Sequence, residues 1–283
     1  MFLATMLDDR GETPVAVDPD RGAVDAAHVV RGAPGDTMAV LGQLPQAELS
    51  KRVADLPDDA LRRLEDVRFT APYRRPRKLW GIGLNYVEHA SDLAETVPEE
   101  PASFMKGDHT IIGPGDPIPL PPQSDRVTAE AELGLVIGRT CHHVAPEEAL
   151  DYVWGAVPVL DQTAEDILAR NPRFLTRSKN FPGFFSFGPG VVPLAVVLDT
   201  VGTLADIEVS TVLNGEVTST NTVSHMRYDP AFLVSFHSRV MPLFPGDVIS
   251  TGTPGAVRLS PGDVAECRVT GVGTLRNPVA VRA

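Results

Sequence analysis

The sequence predicts a strand-rich α+β fold, and three features indicate it. From Lys78 onward, short apolar runs such as LWGIGL and ELGLVIG are separated by turns of Gly, Pro and Asp. The chain contains 26 Pro and 24 Gly, which favours many turns and short strands over long helices. Turns of the type Pro-Gly-Asp, at 113–116, 245–247 and 261–263, each precede an apolar run, as expected where a strand starts after a tight turn.

The first part of the chain has a different residue pattern, which predicts a small α/β domain. Residues 1–35 are typical of short strands joined by turns such as DDRGE and DPDRG. Between Pro45 and Val67 the apolar residues of LSKRVADL and DDALRRLEDV recur at helical spacing, with Asp58 or Asp59 as a helix cap. The Pro- and Arg-containing run at 71–78 is interpreted as a linker. We therefore place a small N-terminal domain at 1–73 and a larger domain at 74–283.

Few helices are expected in the larger domain. Their predicted positions are Val87–Glu95, Pro146–Val153, Ala164–Arg170 and Pro230–Val240. The densest apolar run, VVPLAVVL at 191–198, is too short for a membrane span and is interpreted as a buried strand.

The net charge and the number of cysteines limit the classes of protein to which this chain can belong. The chain has 37 acidic and 25 basic residues, a formal charge of -12, which argues against a nucleic-acid surface. An anionic substrate is still compatible, because a bound metal reverses the local sign of charge. The two cysteines, Cys141 and Cys267, cannot form a disulfide framework, and the N-terminus does not have the pattern of a signal peptide. A cytoplasmic location is therefore expected.

The segment TAEAELGLVIG predicts a strand with two carboxylates on one face. Alternate residues of a strand share a face, so Glu130 and Glu132 point the same way, while Leu133 and Leu135 point the other way. A cation between the two carboxylates would relieve their repulsion. The alternative is a half-exposed strand with a hydrated polar face.

A third carboxylate, Asp161, ends the apolar run WGAVPVLD, just before a helix that Thr163 and Ala164 are expected to open. Binding residues often occupy such a position, and so do ordinary helix caps. Two glutamates and one aspartate would suit Mg²⁺, which takes a few carboxylates and completes its shell with water and substrate. No His/Cys cluster with zinc spacing is present.

Three further segments carry candidate chemistry. His89 and Asp92 lie at i and i+3 on a predicted helix, as a general acid/base unit or as an ordinary surface pair. Lys179 lies in an aromatic, Gly/Pro-rich stretch, either as a desolvated group that binds substrate or as a surface lysine whose stem covers apolar residues. The loop Thr251-Gly252-Thr253 offers N–H donors to an anion but lacks the lysine of a phosphate-binding loop. There is no Gly-x-Ser-x-Gly nucleophile elbow.

Taken in order, these segments resemble the fumarylacetoacetate hydrolase family, in its bacterial form with a small N-terminal domain. The resemblance runs from about Lys78 to Val279 and rests on the motifs GLNYVEH, EEPASFMKG, EAELGLVIG, VLDQTAED, SKNF with FGPG, LNGE, PGDVISTGTPG and a late PGDV. It implies a mixed β-sandwich roll and a homodimer. It also implies a small-molecule keto or diketo acid as substrate, and no nucleic-acid or membrane partner.

The resemblance assigns roles to individual positions. It implies that Glu130, Glu132 and Asp161 bind Mg²⁺ or Mn²⁺, with Ca²⁺ also possible, and that His89 and Asp92 form the dyad that activates water or moves a proton. Lys179 corresponds to the lysine that stabilises the developing enolate, and Thr253 to the threonine that contacts a substrate carboxylate. The remaining substrate-binding positions that it implies are Tyr86, Lys106 and Glu165.

Four positions depart from the family pattern. Asp92 stands where glutamate is usual, Glu165 and Leu168 stand where arginine and glutamine follow the metal aspartate, and Ser219 lies near the place of a glutamine that follows the Asn-Gly-Glu turn. The metal positions are thus kept, while positions that recognise substrate differ. We also expect the acidic segment Ser91–Pro101 to cover the metal.

Three functions follow as hypotheses. The first is a metal-dependent hydrolase that cleaves a carbon–carbon bond in a β-diketone or acylpyruvate. The second is a decarboxylase, keto–enol isomerase, dehydratase or hydratase with the same enolate chemistry. The third is a family member that keeps the metal and has lost catalysis.

Overall fold

The computed structural model describes residues 1–32, 34–87 and 98–280. The strands of the first half are β1 Phe2–Asp8, β2 Gly11–Asp18, β3 Gly22–Asp25, β4 Phe69–Thr70, β5 Leu79–Gly83, β6 Ala102–Lys106, β7 Ile111–Ile112 and β8 Val127–Ile137. Those of the second half are β9 Val153–Ala164, β10 Phe185–Phe187, β11 Gly190–Pro193, β12 Glu208–Leu213, β13 Glu216–Thr222, β14 Val248–Ser250, β15 Ala256–Arg258, β16 Val264–Val269 and β17 Gly273–Pro278. The α-helices are α1 Thr37–Val40, α2 Gln46–Ala54, α3 Pro146–Ala149, α4 Glu165–Arg170, α5 Leu175–Lys179, α6 Leu194–Val201 and α7 Pro230–Val240.

Within these residues the strands form two sheets. The larger has 13 strands, with the order β3-β2-β1-β11-β9-β8-β14-β5-β6 along its main path and the short strands β4, β7, β10 and β15 at its sides. The smaller has 4 strands in the order β13-β12-β16-β17. These mixed sheets with few helices confirm the predicted strand-rich α+β class.

The long antiparallel pair β8–β9 lies at the centre of the larger sheet. Its register places Glu130 opposite Asp161 and Leu133 opposite Pro158. The buried faces of β8 follow the predicted alternation. Leu133 and Leu135 belong to the hydrophobic core on one face of this sheet. Val136 belongs to a second hydrophobic core on the other face.

The N-terminal strands are part of the same sheet. β1 pairs antiparallel with β2 and with β11, with Leu3 opposite Val191. The expected strands in 1–35 are present, and so is a helix, α2, in the LSKRVADL segment. The following segment was predicted as helical but forms only 3₁₀ turns at Asp58–Ala60 and Leu64–Asp66, because Pro57 and the extended residue Leu61 interrupt it. The boundary at residue 73 stays a prediction.

Three helical predictions are confirmed. α7 has the predicted bounds, and Asp229 caps it by accepting a hydrogen bond from the backbone N of Phe232. α4 begins at Glu165, one residue later than expected. α3 continues as a 3₁₀ turn over Leu150–Tyr152, so the segment from Pro146 is helical as predicted.

Two strand predictions were wrong in their bounds. The run 191–198 is a strand only as far as Pro193, and α6 starts at Leu194, because Pro193 suits the position before a helix and the apolar run does not distinguish the two states. Likewise β9 does not end at Asp161. It continues through Thr163 to Ala164, because these residues keep pairing with the start of β8.

Residues 88–95 of the predicted helix Val87–Glu95 lie outside the described residues, and so do both members of the His89–Asp92 pair and residues 91–97 of the expected covering segment. No helix among the described residues combines the length and the apolar character needed to cross a membrane.

Candidate active site

Three carboxylates meet on one face of the β8–β9 pair. Glu130 and Asp161 are direct cross-strand partners, and Glu132 lies two residues further along β8 on the same face. Each contributes an oxygen to a group in which all these oxygens lie within 4.8 Å of one another. Asp161 is 0% and Glu132 1% exposed, so this negative charge is almost fully withdrawn from water.

Two donors from one loop fix the carboxylate of Glu132. Ser250 Oγ donates to Glu132 Oε2 at 2.5 Å, and the backbone N of Gly252 donates to the same oxygen at 2.9 Å. Gly252 has a φ of +103°, and a Cβ there would lie 2.9 Å from the Cβ of Asn85, so this turn requires glycine. Burial, together with the charges of Asp161 and Glu130, raises the pKa of Glu132 to about 8.

Lys179 supplies a cation inside the cluster. Its Nζ lies 2.8 Å from Glu130 Oε2 and 2.9 Å from Asp161 Oδ2, and the residue is 4% exposed. Its Nζ also lies 4.8 Å from the centre of the Phe104 ring. Burial alone would lower the pKa of Lys179, but the carboxylates of Asp161 and Glu130 outweigh burial and raise it above its ordinary value. The charged form is therefore favoured.

Lys106 is a second buried lysine on the same aspartate. Its Nζ lies 2.5 Å from Asp161 Oδ1 and donates to the carbonyl oxygens of Gln162, Lys179 and Phe184 at 3.1, 2.7 and 2.6 Å. Burial lowers the pKa of Lys106 to about 8, against the opposing effect of Asp161. Lys106 was expected to bind substrate. In the structure it fixes Asp161 and the backbone that carries Lys179.

The donor set fits a hard divalent cation. All three candidate ligands are adjacent carboxylates, two of them buried and Glu130 partly buried, and Mg²⁺, Mn²⁺ and Ca²⁺ prefer oxygen ligands. The two lysines offset two of the three negative charges. Once Glu132 is ionised, one negative charge remains, and a bound cation would relieve both this charge and the proximity of the carboxylates.

Thr253 lies on the loop that follows the donors to Glu132. It is 5% exposed, and its hydroxyl donates to the carbonyl oxygen of Gly255 at 3.1 Å. Thr211 and Ser219 donate to the same carbonyl at 2.8 and 3.1 Å. Ser219, one of the positions that depart from the family pattern, therefore braces the loop of Thr253.

The other two predicted substrate contacts, Tyr86 and Glu165, lie on different elements. Tyr86 is 0% exposed and forms an isolated antiparallel bridge with Met226. Glu165 opens α4, and its Oε2 lies 2.8 Å from Nε of Arg126. The roles proposed for Tyr86, Lys106, Glu165 and Thr253 stay predictions.

Sequence reasoning missed several residues that build this site. Thr163 donates to Glu130 Oε1 at 2.7 Å, and its signal was its position two residues after Asp161 on the same face. Ser250 was visible only as a hydroxyl in an apolar strand.

Comparisons with known proteins agree with this fold. Residues 78–280 match the family model for the fumarylacetoacetate hydrolase C-terminal domain. The mitochondrial oxaloacetate tautomerase of Homo sapiens is 34% identical over 223 residues, which cover 76% of this chain and 70% of that protein.

Two solved structures cover all of this chain and are themselves covered completely. The 5-carboxymethyl-2-hydroxymuconate delta-isomerase from Mycobacterium smegmatis has 32% identity and a TM-score of 0.77. The fumarylacetoacetate hydrolase from Exiguobacterium antarcticum has 30% identity and a TM-score of 0.83. With its family model, its relatives and its buried carboxylate cluster in agreement, this chain belongs to the fumarylacetoacetate hydrolase family.

Proposed function

We propose that this protein is a divalent-metal-dependent enzyme that converts a short 2-keto or 2,4-diketo acid by way of an enolate. The observation that carries the proposal is the buried cluster of Glu130, Glu132 and Asp161 with the ammonium of Lys179 in contact with two of its members. Such a cluster has no evident structural purpose in the middle of a sheet, since burying like charges destabilises a fold unless a cation accompanies them.

Glu130, Glu132 and Asp161 would hold Mg²⁺ or Mn²⁺. When bound, the metal acts as a Lewis acid that polarises a carbonyl oxygen. Lys179 stabilises negative charge that develops on the substrate, and it does so in a site from which water is largely excluded. Lys106 keeps Asp161 in place through an ion pair, and the backbone of Lys179 through a hydrogen bond to its carbonyl oxygen.

Hydrolytic cleavage of a carbon–carbon bond is the first candidate reaction. His89, supported by Asp92, would take a proton from water, and the resulting hydroxide would attack the carbonyl carbon of a β-diketone or acylpyruvate. The bond between that carbon and the adjacent carbon then breaks, and the departing carbon takes the electron pair as an enolate. The proton held by His89 returns to the enolate, which gives a carboxylic acid and a ketone; from an acylpyruvate that ketone is pyruvate, so the products are two acids.

Keto–enol isomerisation is the second candidate, and a specific observation favours it. Oxaloacetate tautomerases of vertebrates are 33% to 34% identical to this chain over about three quarters of its length. Isomerisation requires charge stabilisation and proton transfer but no attack by water. The side chain of Asp92 is shorter than that of the usual glutamate, and this difference should therefore impair isomerisation less than hydrolysis. Decarboxylation, dehydration and hydration of a keto acid draw on the same charge stabilisation.

A mass-spectrometric turnover screen tests the proposal. The purified protein with Mg²⁺ or Mn²⁺ is incubated with acylpyruvates, with diketo acids of the fumarylacetoacetate type and with oxaloacetate, beside the variant Glu132→Gln. Metal-dependent formation of two acids supports hydrolysis. Carbon dioxide release supports decarboxylation, and faster exchange between the keto and enol forms at unchanged mass supports isomerisation.

The variant shows whether the cluster is responsible. Glu132→Gln keeps an oxygen that accepts from Ser250 and Gly252 but removes the charge. We expect metal retention and turnover to be lost together. Turnover that persists in the metal-free protein would exclude this mechanism.

A further inference from the structure

One face of helix α7 is apolar and exposed. Phe232 is 37% and Val240 56% exposed, and Phe236 between them is partly exposed. With Tyr228 just before the helix, these residues recur every four positions, so each is displaced around the helix axis by only about 40° from the one before it. The opposite face, which includes Leu233, is buried in the main hydrophobic core. The four residues at 228, 232, 236 and 240 therefore form one continuous row, here called the α7 stripe.

Stacked rings give the α7 stripe a fixed surface. The ring centres of Tyr228 and Phe232 lie 5.1 Å apart at an interplanar angle of 21°, and those of Phe232 and Phe236 lie 5.9 Å apart at 22°. Because each ring restricts its neighbour, little side-chain freedom is left to lose on binding. Contiguous exposed apolar patches mark interaction surfaces, and aromatic residues are enriched there. The α7 stripe thus has the character of a protein–protein interface.

Two exposed charges flank the stripe at opposite ends of the helix. Asp229 precedes Phe232 by three residues and Arg239 follows it by seven, so both lie on the exposed face. Asp229 Oδ1 accepts from the backbone N of Phe232, which leaves Oδ2 for another partner. Within the described part of the chain neither side chain forms an ion pair. The face is therefore negative at one end and positive at the other, and it complements a copy of itself turned end for end.

The charges also select one register for such a pair. A two-fold axis perpendicular to α7 reverses the second helix, so the residue numbers of facing positions have a constant sum. In one register the facing pairs are Phe232 with Phe236, Asp229 with Arg239, and Tyr228 with Val240. Moving Phe236 onto its own copy would instead place Asp229 opposite Leu243, which is buried, and would separate the opposite charges. Parallel packing would place like charges and like helix ends together.

We infer that the α7 stripe binds the same stripe of a second copy of this chain, as an antiparallel pair related by a two-fold axis. Each aromatic contact and each ion pair then occurs twice, once on either side of the axis. The inference concerns assembly and does not depend on the reaction at the carboxylate cluster.

Sedimentation velocity over about 1 to 100 µM tests the face. One helix pair is a small interface, so the wild-type protein should dimerise with a Kd in the micromolar range. Phe232→Glu and Val240→Glu place a carboxylate inside the pair and should each weaken dimerisation at least about tenfold, because a desolvated charge without a partner is unfavourable. Phe174→Glu and Val217→Glu are the matched controls, at 40% and 53% exposed positions on other elements, and should leave the Kd unchanged. Circular dichroism establishes that each variant is folded.

A double-mutant cycle tests the pairing of the charges. Asp229→Ser removes the negative charge and keeps a side-chain oxygen that can cap α7, and Arg239→Gln removes the positive charge. Each variant should weaken dimerisation by about threefold, because two copies of an exposed ion pair are lost per dimer. If the two residues face each other, the double variant should dimerise as weakly as either single variant, whereas independent residues would have additive effects.

Two results would overturn the inference that this face is the interface. One is a wild-type protein that stays monomeric throughout the concentration range, and the other is a dimer that both Phe232→Glu and Val240→Glu leave intact. Additive effects of Asp229→Ser and Arg239→Gln would overturn the antiparallel pairing, because the two charges would then not meet across the axis.

Discussion

The side chain of Asn85 binds both the backbone N–H and the carbonyl oxygen of Tyr228. Asn85 Nδ2 donates to the carbonyl oxygen of Tyr228 at 3.0 Å, and Asn85 Oδ1 accepts from its backbone N at 2.9 Å. The same Nδ2 donates to the carbonyl oxygen of Thr251 at 2.7 Å. Since Gly252 holds Glu132, Asn85 links the end of β5 to the loop that fixes one of the candidate metal ligands.

Replacing Asn85 should therefore destabilise the protein. Asn85→Ala leaves three buried backbone groups without partners, at a cost of roughly 2–4 kcal/mol in the free energy of unfolding. Urea denaturation would measure it. Gln43→Ala removes an exposed amide with a single hydrogen bond, to the carbonyl oxygen of Ala39, and should change the stability by less than about 0.5 kcal/mol. A similar effect of both variants would contradict the role given to Asn85.

The sequence pattern predicted those parts of the fold that depend mainly on residues close to one another along the chain. The alternation in β8 placed Glu130 and Glu132 on one face, because a strand side chain has only two directions. The apolar spacing over Pro230–Val240 predicted both ends of α7, and the structure adds the cap at Asp229. Where the pattern is uniformly apolar, as at 191–198, strand and helix are equally consistent with it, and tertiary packing decided between them.

Contacts between distant segments could not be predicted in the same way. Lys179 stood out as a lysine among aromatic residues, but its two carboxylate partners come from β8 and β9. The continuation of β9 beyond Asp161 depends on pairing with the start of β8, which no local signal reports. The resemblance to a family supplied the candidate site, whereas spacing alone left every member with a structural alternative.

Lys179 should stabilise the metal-free protein. In Lys179→Met the carboxylates of Glu130 and Asp161 lose a buried cation, which should lower the free energy of unfolding by about 3–5 kcal/mol. A divalent metal restores the missing positive charge. The rise in melting temperature on adding Mn²⁺, measured by calorimetry, should therefore be larger in Lys179→Met than in the wild-type protein.

A matched control separates this effect from the loss of any lysine. Lys51 is exposed on α2, so Lys51→Met should leave both the stability and the metal-induced rise close to wild-type values. If Mn²⁺ raised the melting temperature equally in the wild-type protein and in Lys179→Met, Lys179 would not offset the negative charge of the carboxylate cluster.

Glu132 should make the stability of the metal-free protein dependent on pH. Its pKa is raised from 4.5 to about 8 in the folded state, mainly by burial, whereas the unfolded chain ionises near 4.5. Between these values the folded state retains a proton that the unfolded state has lost. The stabilising contribution of this group is therefore fully present below pH 4.5 and declines as the pH rises to about 8.

Thermal unfolding of chelator-treated protein across this range would test the pH effect. Glu132→Gln cannot ionise, so the difference between the two proteins isolates the titration of this carboxyl. The melting temperature of the wild-type protein should fall relative to that of the variant as the pH rises. Parallel curves would mean that Glu132 ionises at its ordinary pKa.

Ser250 should strengthen metal binding through its hydrogen bond to Glu132. The short hydrogen bond from Ser250 Oγ orients the carboxylate and stabilises its charged form, which is the form that binds a cation. Removing this hydrogen bond in Ser250→Ala should weaken the binding of Mn²⁺ by about tenfold, measured by calorimetric titration.

Ser260→Ala makes the same change at an exposed position and should leave the affinity for Mn²⁺ unaltered. Because Gly252 still donates to Glu132 in the Ser250 variant, the site should bind metal weakly and not lose it altogether. Unchanged Mn²⁺ affinity in Ser250→Ala would mean that Glu132 needs only the backbone donor of Gly252, or does not bind the metal.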